Sequence, residues 1–600
     1  MTFAAADLEK LAKLKVGSPL SLALLVPHSY RDLRLTPAPV NGADQATEVQ
    51  VLSTHNTPKR FVAKLYSQTW ECPVDAVYFH AKQWQKAQFF KGAELLLYGR
   101  VQEGFGPVQL VQPVKLTSAL GITPIYKTPL QNRTVLELMK RYVTVEALEA
   151  EGLPRSVAAK LHEIHFPATV PTLPFAGETL RALKYAEIFR FLKGLSTRRR
   201  DLSAIAAIRA DPRPFIESLP FKLTSDQLRA IEAARQDLAR EIQAKRLIIG
   251  DVGCGKTLVM LAIAFMVGER KTVLMAPTTL LANQLYEEAQ KFLGRFLPLA
   301  LVTQKTKTDA GDLANAALII GTHALLYREL PQAACVMVDE QHRFGTAQRK
   351  RLADMTAGDG GKKPHFFQFS ATPIPRTLAM IQSTLLDISA IREMPFKKQI
   401  QTRVIDRAHF KELIAHIQAQ IGEGNQVLIV YPHIEESDHT DYQSLEEAQG
   451  FWQKHFTGVF VTHGRDKDKE DVLLSFREGG HILLATTVVE VGISLPRLTT
   501  IVIAGAERLG LATLHQLRGR VGRMGQQSWC FYYTNKPDND RLNELANTLD
   551  GFAVAELDLK TRSSGDLLEG ILQSGQSFNW FDMATDGEIL GEVKHSLSNP

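Results

Sequence analysis

Three short stretches carry residue types that could do chemistry on a nucleotide. The first is Gly250-Asp251-Val252-Gly253-Cys254-Gly255-Lys256-Thr257, which fits GxxxxGK[ST]. The apolar run Leu247–Ile249 precedes it, and an apolar stretch of helical length, Leu258 to Val267, follows. In that context the glycines let backbone N–H groups face phosphate oxygens at a helix N-terminus. Lys256 would reach the β/γ-phosphates, and the Thr257 hydroxyl would ligate Mg²⁺. A chance match in a chain this long has a probability of roughly 0.02, so a glycine turn ahead of a core helix is the weaker reading. Cys254 is read as a small side chain tolerated inside the loop.

In the second stretch, Val336-Met337-Val338 runs into Asp339-Glu340-Gln341-His342. A strand ending in paired acids puts carboxylates beside the metal. Asp339 would hold Mg²⁺ through its water shell, and Glu340 would orient and deprotonate the attacking water. An acid pair after a strand is commonplace alone; behind a phosphate loop it gains this meaning. The third stretch is Gln516-Leu517-Arg518-Gly519-Arg520-Val521-Gly522-Arg523. Glycines between arginines argue for a tight loop aiming guanidinium groups at one target, not for a solvated basic face. Arg520 and Arg523 suit a γ-phosphate across a cleft, as arginine fingers, and Gln516 is assigned to the nucleotide site with them.

Weaker pieces fall between these. Ala276-Pro277-Thr278-Thr279-Leu280, Gly321-Thr322-His323 and Phe369–Thr377 each follow a strand. They set small hydroxyls and amides at a sheet's C-terminal edge. Pro277, Thr278 and Thr322 could there hold nucleic-acid phosphates without reading bases, although each piece alone is more often an ordinary loop. In Leu223-Thr224-Ser225-Asp226-Gln227, Gln227 could hydrogen-bond an adenine edge.

The elements that must position these residues follow from texture. At 600 residues, about four domains are expected. A net charge of +6 permits a polyanionic partner without requiring one. Cys72, Cys254, Cys335 and Cys530 lie far apart, so neither a disulfide framework nor a zinc site is expected. The N-terminus lacks a long apolar run, and Leu20–Val26 is too short to span a bilayer. A cytoplasmic protein without a membrane partner is expected.

Residues 1–45 look helical, then proline-rich and loop-like. Residues 46–118 carry five β-like runs between turn residues: Glu48–Leu52, Phe61–Tyr66, Val74–Phe79, Glu94–Val101 and Val108–Val111. These suit a small barrel. Residues 119–210 are a mainly helical linker. From 211 short apolar strands alternate with helices, which means parallel sheets covered on both faces. One such domain spans 211–395 and a second 396–544, with Glu393–Thr402 as the joint, and 545–600 form a mixed helical tail. In the barrel, Val77-Tyr78-Phe79 ends a strand and Trp84 lies in the following connection, among Lys82, Gln83, Gln85 and Lys86. Alternation sends Tyr78 and Phe79 to opposite faces. Phe79 and Trp84 are the candidates to stack on unpaired bases, with Phe89, Phe90 and Phe105 behind them.

These motifs, in this order, resemble helicase superfamily 2. Asp339–Gly345, Phe369–Thr377, Thr486–Gly492 and Ala506–Ala512 running into His515–Arg523 resemble the RecG family. The likeness spans nearly the whole chain. Phe221–Gln227 is similar to that family's entry to the motor, Phe105-Gly106 to its oligonucleotide-binding wedge, and Pro27–Asp32 to the segment before the wedge. Asp550-Gly551-Phe552 to Gln573-Ser574-Gly575 resembles a C-terminal translocation element shared with transcription-repair coupling factor. The resemblance implies two RecA-like motor domains behind an OB-fold wedge and helical linker. It also implies ATP and Mg²⁺ as cofactors, translocation on duplex DNA with 3′–5′ polarity, and fork regression, Holliday-junction migration and R-loop removal. Arg562 and Gln573 match polar positions of the translocation element. A monomer is expected, with branched DNA as partner and a single-strand-binding protein as a further candidate. The chain departs from the family at Ser494, where an acid is usual, and at Ser563-Ser564, which replace Gly-Pro.

The nearest rival is the double-stranded DNA translocase of a transcription-repair coupling factor. It would need polymerase-binding and damage-recognition modules, for which the first 210 residues leave little room. An RNA helicase fits DEQH and the barrel poorly. A binding protein without catalysis is disfavoured by the intact Lys256, Glu340 and Arg523.

Overall fold

From Asp44 apolar and polar residues alternate, and the chain closes a barrel. In the computed structural model the strands β2 (Asp44–Asn56), β3 (Phe61–Ser67), β4 (Cys72–Tyr78), β5 (Glu94–Gln102) and β6 (Val108–Lys115) run β2-β3-β4-β6-β5 around it. All pairs are antiparallel except β4 with β6. That single parallel pair, in a closed five-stranded barrel, is the OB-fold arrangement expected. Phe61, Ala63, Leu65, Val74, Ala76, Leu97 and Leu110 fill the interior. The β5–β6 register shifts between Tyr98 and Arg100. Gly99 sits there because a Cβ would stand 3.0 Å from Pro113 Cα, leaving room for glycine alone at this barrel corner.

The structure describes residues 3–57, 60–103, 106–117, 121–197, 202–306, 308–433, 442–486, 495–522, 525–561 and 578–598. The chain forms two compact units: Met1–Gly194 with Phe578–Asp582 and Glu588–Pro600, and Leu195–Ser577 with Met583–Gly587. The first unit holds the barrel and the helices α1 (Asn132–Tyr142), α2 (Val145–Ala150), α3 (Arg155–His165) and α4 (Gly177–Ser196). It also holds a ladder that the sequence pattern does not predict. There β1 (Ser29–Asp32), inside the expected loop, pairs antiparallel with β7 (Ile122–Ile125).

The second unit carries two all-parallel sheets, as expected of RecA-like motor domains. One has the order β10-β11-β9-β12-β13-β8-β14, the other β15-β20-β19-β16-β18-β17. In the first sheet β8 (Lys245–Gly250), β9 (Thr272–Met275), β10 (Leu299–Val302), β11 (Leu318–Gly321), β12 (Cys335–Val338), β13 (His365–Ser370) and β14 (Asp387–Ile391) follow one another. In the second come β15 (Gln399–Ile405), β16 (Gln426–Val430), β17 (Val459–Thr462), β18 (Ile482–Ala485), β19 (Leu498–Ala504) and β20 (Gln527–Tyr533). Most of the central strands are buried along their whole length, because helices cover both faces. Gln399–Thr402, expected as part of the joint, is instead the start of the edge strand β15. Its first residues alternate exposed and buried, which a linker would not need to do.

One buried carboxylate clasps the start of the first unit's C-terminal segment. Glu187, on α4, is 4% exposed. Its oxygens accept from the backbone N–H groups of Asn579 (2.8 Å), Trp580 (2.9 Å) and Phe581 (2.9 Å). Phe578 packs edge-on against Phe191 and Phe581, each at 5.3 Å. Charge-assisted bonds of this kind exceed neutral ones in strength, and losing the acceptor strands buried donors. Glu187→Ala is expected to destabilise this unit by about 2 kcal/mol in urea denaturation, with faster proteolysis at the C-terminus. An unchanged midpoint and cleavage pattern would show that the clasp holds nothing.

Candidate active site

The strand β8 ends at Gly250 and the helix α6 (Lys256–Val267; α5 is Ser225–Leu238) begins at Lys256, so the loop between them lies at the C-terminal sheet edge. Gly253 (φ 85°) and Gly255 (φ 81°) are left-handed, a conformation glycine adopts without strain. Gly250 is glycine for room: a Cβ there would lie 2.3 Å from Cys254 Sγ and 3.1 Å from the Ile391 carbonyl. Cys254 is buried and burial pushes its thiol above its ordinary value, so it packs the loop from beneath. Lys256 Nζ lies over the loop and donates to the carbonyls of Gly250 (2.7 Å) and Asp251 (3.2 Å).

Gln227 departs from its expected role. Its amide is 1% exposed. Oε1 accepts from Thr224 N–H (2.8 Å) and Nε2 donates to the Cys254 carbonyl (2.8 Å). Both ends are bonded within the chain, so Gln227 caps α5 and braces the phosphate loop instead of presenting an edge to adenine. The capping pattern Thr-x-x-Gln is the sequence signal for this.

Asp339 follows β12 and is 6% exposed. Burial, and then the neighbouring Glu340 carboxylate, push its carboxyl up to about 7, against the pull of the Lys256 ammonium. Glu340 has left-handed backbone, φ 48° and ψ 56°. Such a conformation costs a non-glycine residue about 1–3 kcal/mol and persists only where surroundings impose it. Here Asp339 Oδ1 accepts from Glu340 N–H (3.0 Å), the Glu340 carbonyl accepts from Arg343 N–H (2.9 Å), and Glu340 Oε2 accepts from Ala371 N–H (3.1 Å). The strain aims the carboxylate, and the Phe369–Thr377 stretch holds its tip.

Lys256, Thr257, Asp339 and Glu340 line one cleft of about 570 Å³, and Gln516 and Arg520 line it from the second motor domain. Gln516 Nε2 donates to Thr372 Oγ1 at 2.7 Å. A Cβ on Gly519 would stand 3.0 Å from Val252 Cβ, so the arginine-bearing loop meets the phosphate loop backbone to side chain. Phe221 and Phe292, edge-to-face at 5.9 Å, line the cleft as well. The Thr257 hydroxyl and the buried Asp339 carboxylate are hard oxygen donors of the kind Mg²⁺ takes, and a second positive charge would relieve the acid pair. Arg523 lies outside the described residues.

The phosphate-loop motif gives Asp251 to the nucleotide site but says nothing of its carboxylate, which joins the two walls. Asp251, in the phosphate loop, accepts from His515 Nε2 (2.8 Å), Lys398 Nζ (3.0 Å) and Val252 N–H (2.7 Å). Burial raises its carboxyl, but the His515 hydrogen bond and the Lys398 charge outweigh that and hold it well below the ordinary range.

The family model for DEAD/DEAH box helicases matches residues 224–381, and that for the helicase conserved C-terminal domain matches residues 408–525. An ATP-dependent DNA helicase RecG of Helicobacter pylori (strain ATCC 700392 / 26695) is 43% identical over 593 residues, covering 96% of this chain and 95% of its own. The chain belongs to the RecG family of ATP-dependent DNA helicases. The RecG of Aquifex aeolicus (strain VF5) is 34% identical over 546 residues, covering 81% of this chain and 68% of its own. A solved structure of RecG bound to a three-way DNA junction matches at a TM-score of 0.57 and 27% identity, over 98% of this chain and 84% of that one. Among the described residues of this RecG-family chain, no helix is long and apolar enough to cross a membrane.

The expected DNA contacts fare unequally. Phe79 is 50% and Trp84 61% exposed. Tyr78 turns inward beside Phe61 and Phe89, its hydroxyl donating to the Pro113 carbonyl at 2.7 Å. Phe89 is thus core, while Phe90 is exposed. Pro277 and Thr278 are partly exposed after β9, and Thr278 Oγ1 caps the helix α7 (Thr279–Leu293) by accepting from Leu281 N–H. Thr322 is a correction. It is 2% exposed and its hydroxyl accepts from Ala324 N–H at 3.3 Å, so it caps a turn, and exposed His323 takes the position facing solvent. Phe105, Arg562 and Gln573, and the departures Ser494 and Ser563-Ser564, lie outside the described residues.

The raised Asp339 carboxyl has a sign. With a folded value of about 7 against an ordinary 3.8, the folded chain keeps a proton that the unfolded chain has lost. Stability therefore falls as pH rises through that window. Without added nucleotide or metal, Asp339→Asn is expected to be more stable than the parent, by a margin growing from about pH 4 to about pH 7 and flat above. Urea denaturation across that range measures it; a margin independent of pH would mean the carboxyl titrates normally.

Proposed function

We propose that this RecG-family helicase is a 3′–5′ motor on branched DNA that regresses forks, migrates Holliday junctions and removes R-loops. It works as a monomer in the cytoplasm with ATP and Mg²⁺. The observation that carries the reading is the single cleft in which Lys256, Thr257, Asp339 and Glu340 meet Gln516 and Arg520. The solved RecG structure is bound to a three-way DNA junction, which supports branched DNA as the substrate. A single-strand-binding protein is the candidate protein partner.

The residues take these roles. Gly250 to Gly255 and Lys256 hold the phosphates, while Thr257 and Asp339 hold the metal, which supplies charge neutralisation at the phosphates. Glu340, with Oε2 fixed by Ala371 N–H, accepts the proton of the attacking water. Arg520 and Arg523 stabilise the charge that develops. Lys256→Ala is expected to abolish hydrolysis. Glu340→Gln keeps ATP affinity and loses about 10²-fold or more in turnover; wild-type turnover in that variant would remove Glu340 from the role of base.

We take residues 46–118 as the wedge, 119–210 as the linker, 211–395 and 396–544 as the motor domains and 545–600 as the translocation element. Phe79 and Trp84 are the stacking platform at the branch point, with Pro277 and Thr278 on the backbone. Each stack contributes about 1–3 kcal/mol without regard to sequence. A Phe79→Ala, Trp84→Ala double variant is expected to hydrolyse ATP on duplex DNA but to bind forks about tenfold or more weakly and to fail at unwinding. Intact fork binding would shift the platform to Phe90.

A further inference from the structure

Residue 551 is glycine because three parts of the motor converge on it. A Cβ there would stand 2.7 Å from His515 Nε2, 2.9 Å from Asp251 Cγ and 2.9 Å from Pro373 Cγ. Asp251 belongs to the phosphate loop and Pro373 to the stretch that holds Glu340. His515 lies on the helix α9 (Leu511–Arg518; α8 is Arg376–Gln382) beside Gln516. Gly551 opens the helix α11 (Gly551–Thr561), just past α10 (Asp540–Asn547).

A line of buried polar bonds reaches the same place. His515 Nε2 bonds Asp251 Oδ1 at 2.8 Å, and His515 Nδ1 bonds Arg518 Nη2 at 3.0 Å. A carboxylate only accepts and a guanidinium only donates, so the imidazole donates from Nε2 and accepts at Nδ1. Arg518, 1% exposed, also donates to the carbonyls of Leu545 (2.7 Å) and Thr548, which end α10 and lead into α11. The helix α11 has two further holds. Phe552 packs with Leu247 and Ile249 of β8, under the Arg392 guanidinium at 4.1 Å from its ring. Glu556 Oε1 accepts from the N–H of Arg376, the first residue of α8.

We propose that the Asp251–His515–Arg518 line, closed by Gly551, is the linkage that passes the state of the phosphate loop to the C-terminal element, with His515 as its positioning residue. The linkage rests on reading the tail as the part that turns hydrolysis into movement. A displacement of Asp251 has to move His515 or break a buried bond, and Arg518 carries that displacement to the carbonyls that start the tail. A merely structural cluster would lose hydrolysis and movement together.

The test measures fork branch migration per ATP hydrolysed, ATP affinity and melting temperature in the full chain. His515→Ala and Gly551→Ala are expected to keep ATP affinity within about twofold, while migration per ATP falls about tenfold or more. His515→Gln retains an amide donor toward Asp251 and recovers most of the ratio. If Gly551→Ala fails to fold, the two His515 variants decide. A wild-type ratio in His515→Ala overturns the linkage. So does a proportional loss of hydrolysis and migration with a lowered melting temperature, or a Gln variant no better than Ala. Arg562→Ala and Gln573→Ala run alongside. If they leave the ratio unchanged, the reading of the tail itself falls; if they lower it while His515→Ala does not, the linkage alone falls.

Discussion

Asp251 is a carboxylate taken out of water where a phosphate loop, the joint between the motor domains and the second motor domain come together. Removing such a charge from water costs several kcal/mol, and only well-placed partners offset it. Lys398 comes from the joint just ahead of β15, His515 from the second motor domain, and the Val252 N–H from the loop itself. Breaking one of these leaves a buried charge short of a partner, which costs about 3–5 kcal/mol. The loop, the joint and α9 therefore hold their positions together. Gln516 and Arg520 face the cleft because they ride on the element that Asp251 grips.

Glycine placement follows from the same crowding. Gly253 and Gly255 are needed for their backbone angles. Gly551 is needed because neighbours leave no room for a methyl group, and at Gly519 a Cβ would press on Val252 at 3.0 Å. The last two lie outside the phosphate loop yet press against it, so the loop is enclosed by backbone from the other domain and the tail. Glu340 shows the complementary device. Its left-handed backbone is strained, and three hydrogen bonds hold the strain where it points the carboxylate into the cleft.

The sequence reveals those parts whose signal is local. The strands at Thr272–Met275, Gln426–Val430 and Ile482–Ala485 are legible, since a central parallel strand is a short, fully buried and mostly apolar run. The phosphate loop and the acid pair are legible because their chemistry demands fixed residues at fixed spacing. The ladder of β1 with β7 is not: Ser29–Asp32 is polar at three of its four positions, and its partner lies far along the chain at Ile122–Ile125. Gln227 and Thr322 mislead for one reason. A polar side chain at or within the first turn of a helix satisfies the nearest free N–H before any ligand. His515 stands inside a family-like motif without an evident role, because its partner is 264 residues away.

Coupling in such a motor depends on what the phosphate loop can do when its bonds change. Lys256 Nζ donates to the carbonyls of Gly250 and Asp251, and an ammonium that donates to carbonyls can donate as well to phosphate oxygens. Any transfer of those bonds loosens the backbone of the very residue whose side chain holds His515 and Lys398. The exchange is local, a few hydrogen bonds, and it is part-buried, so salt screens it less than it would a surface pair. The proposed linkage to α9 runs through buried bonds, from Asp251 to His515. A surface ion pair, worth about 0–1 kcal/mol, could not carry it.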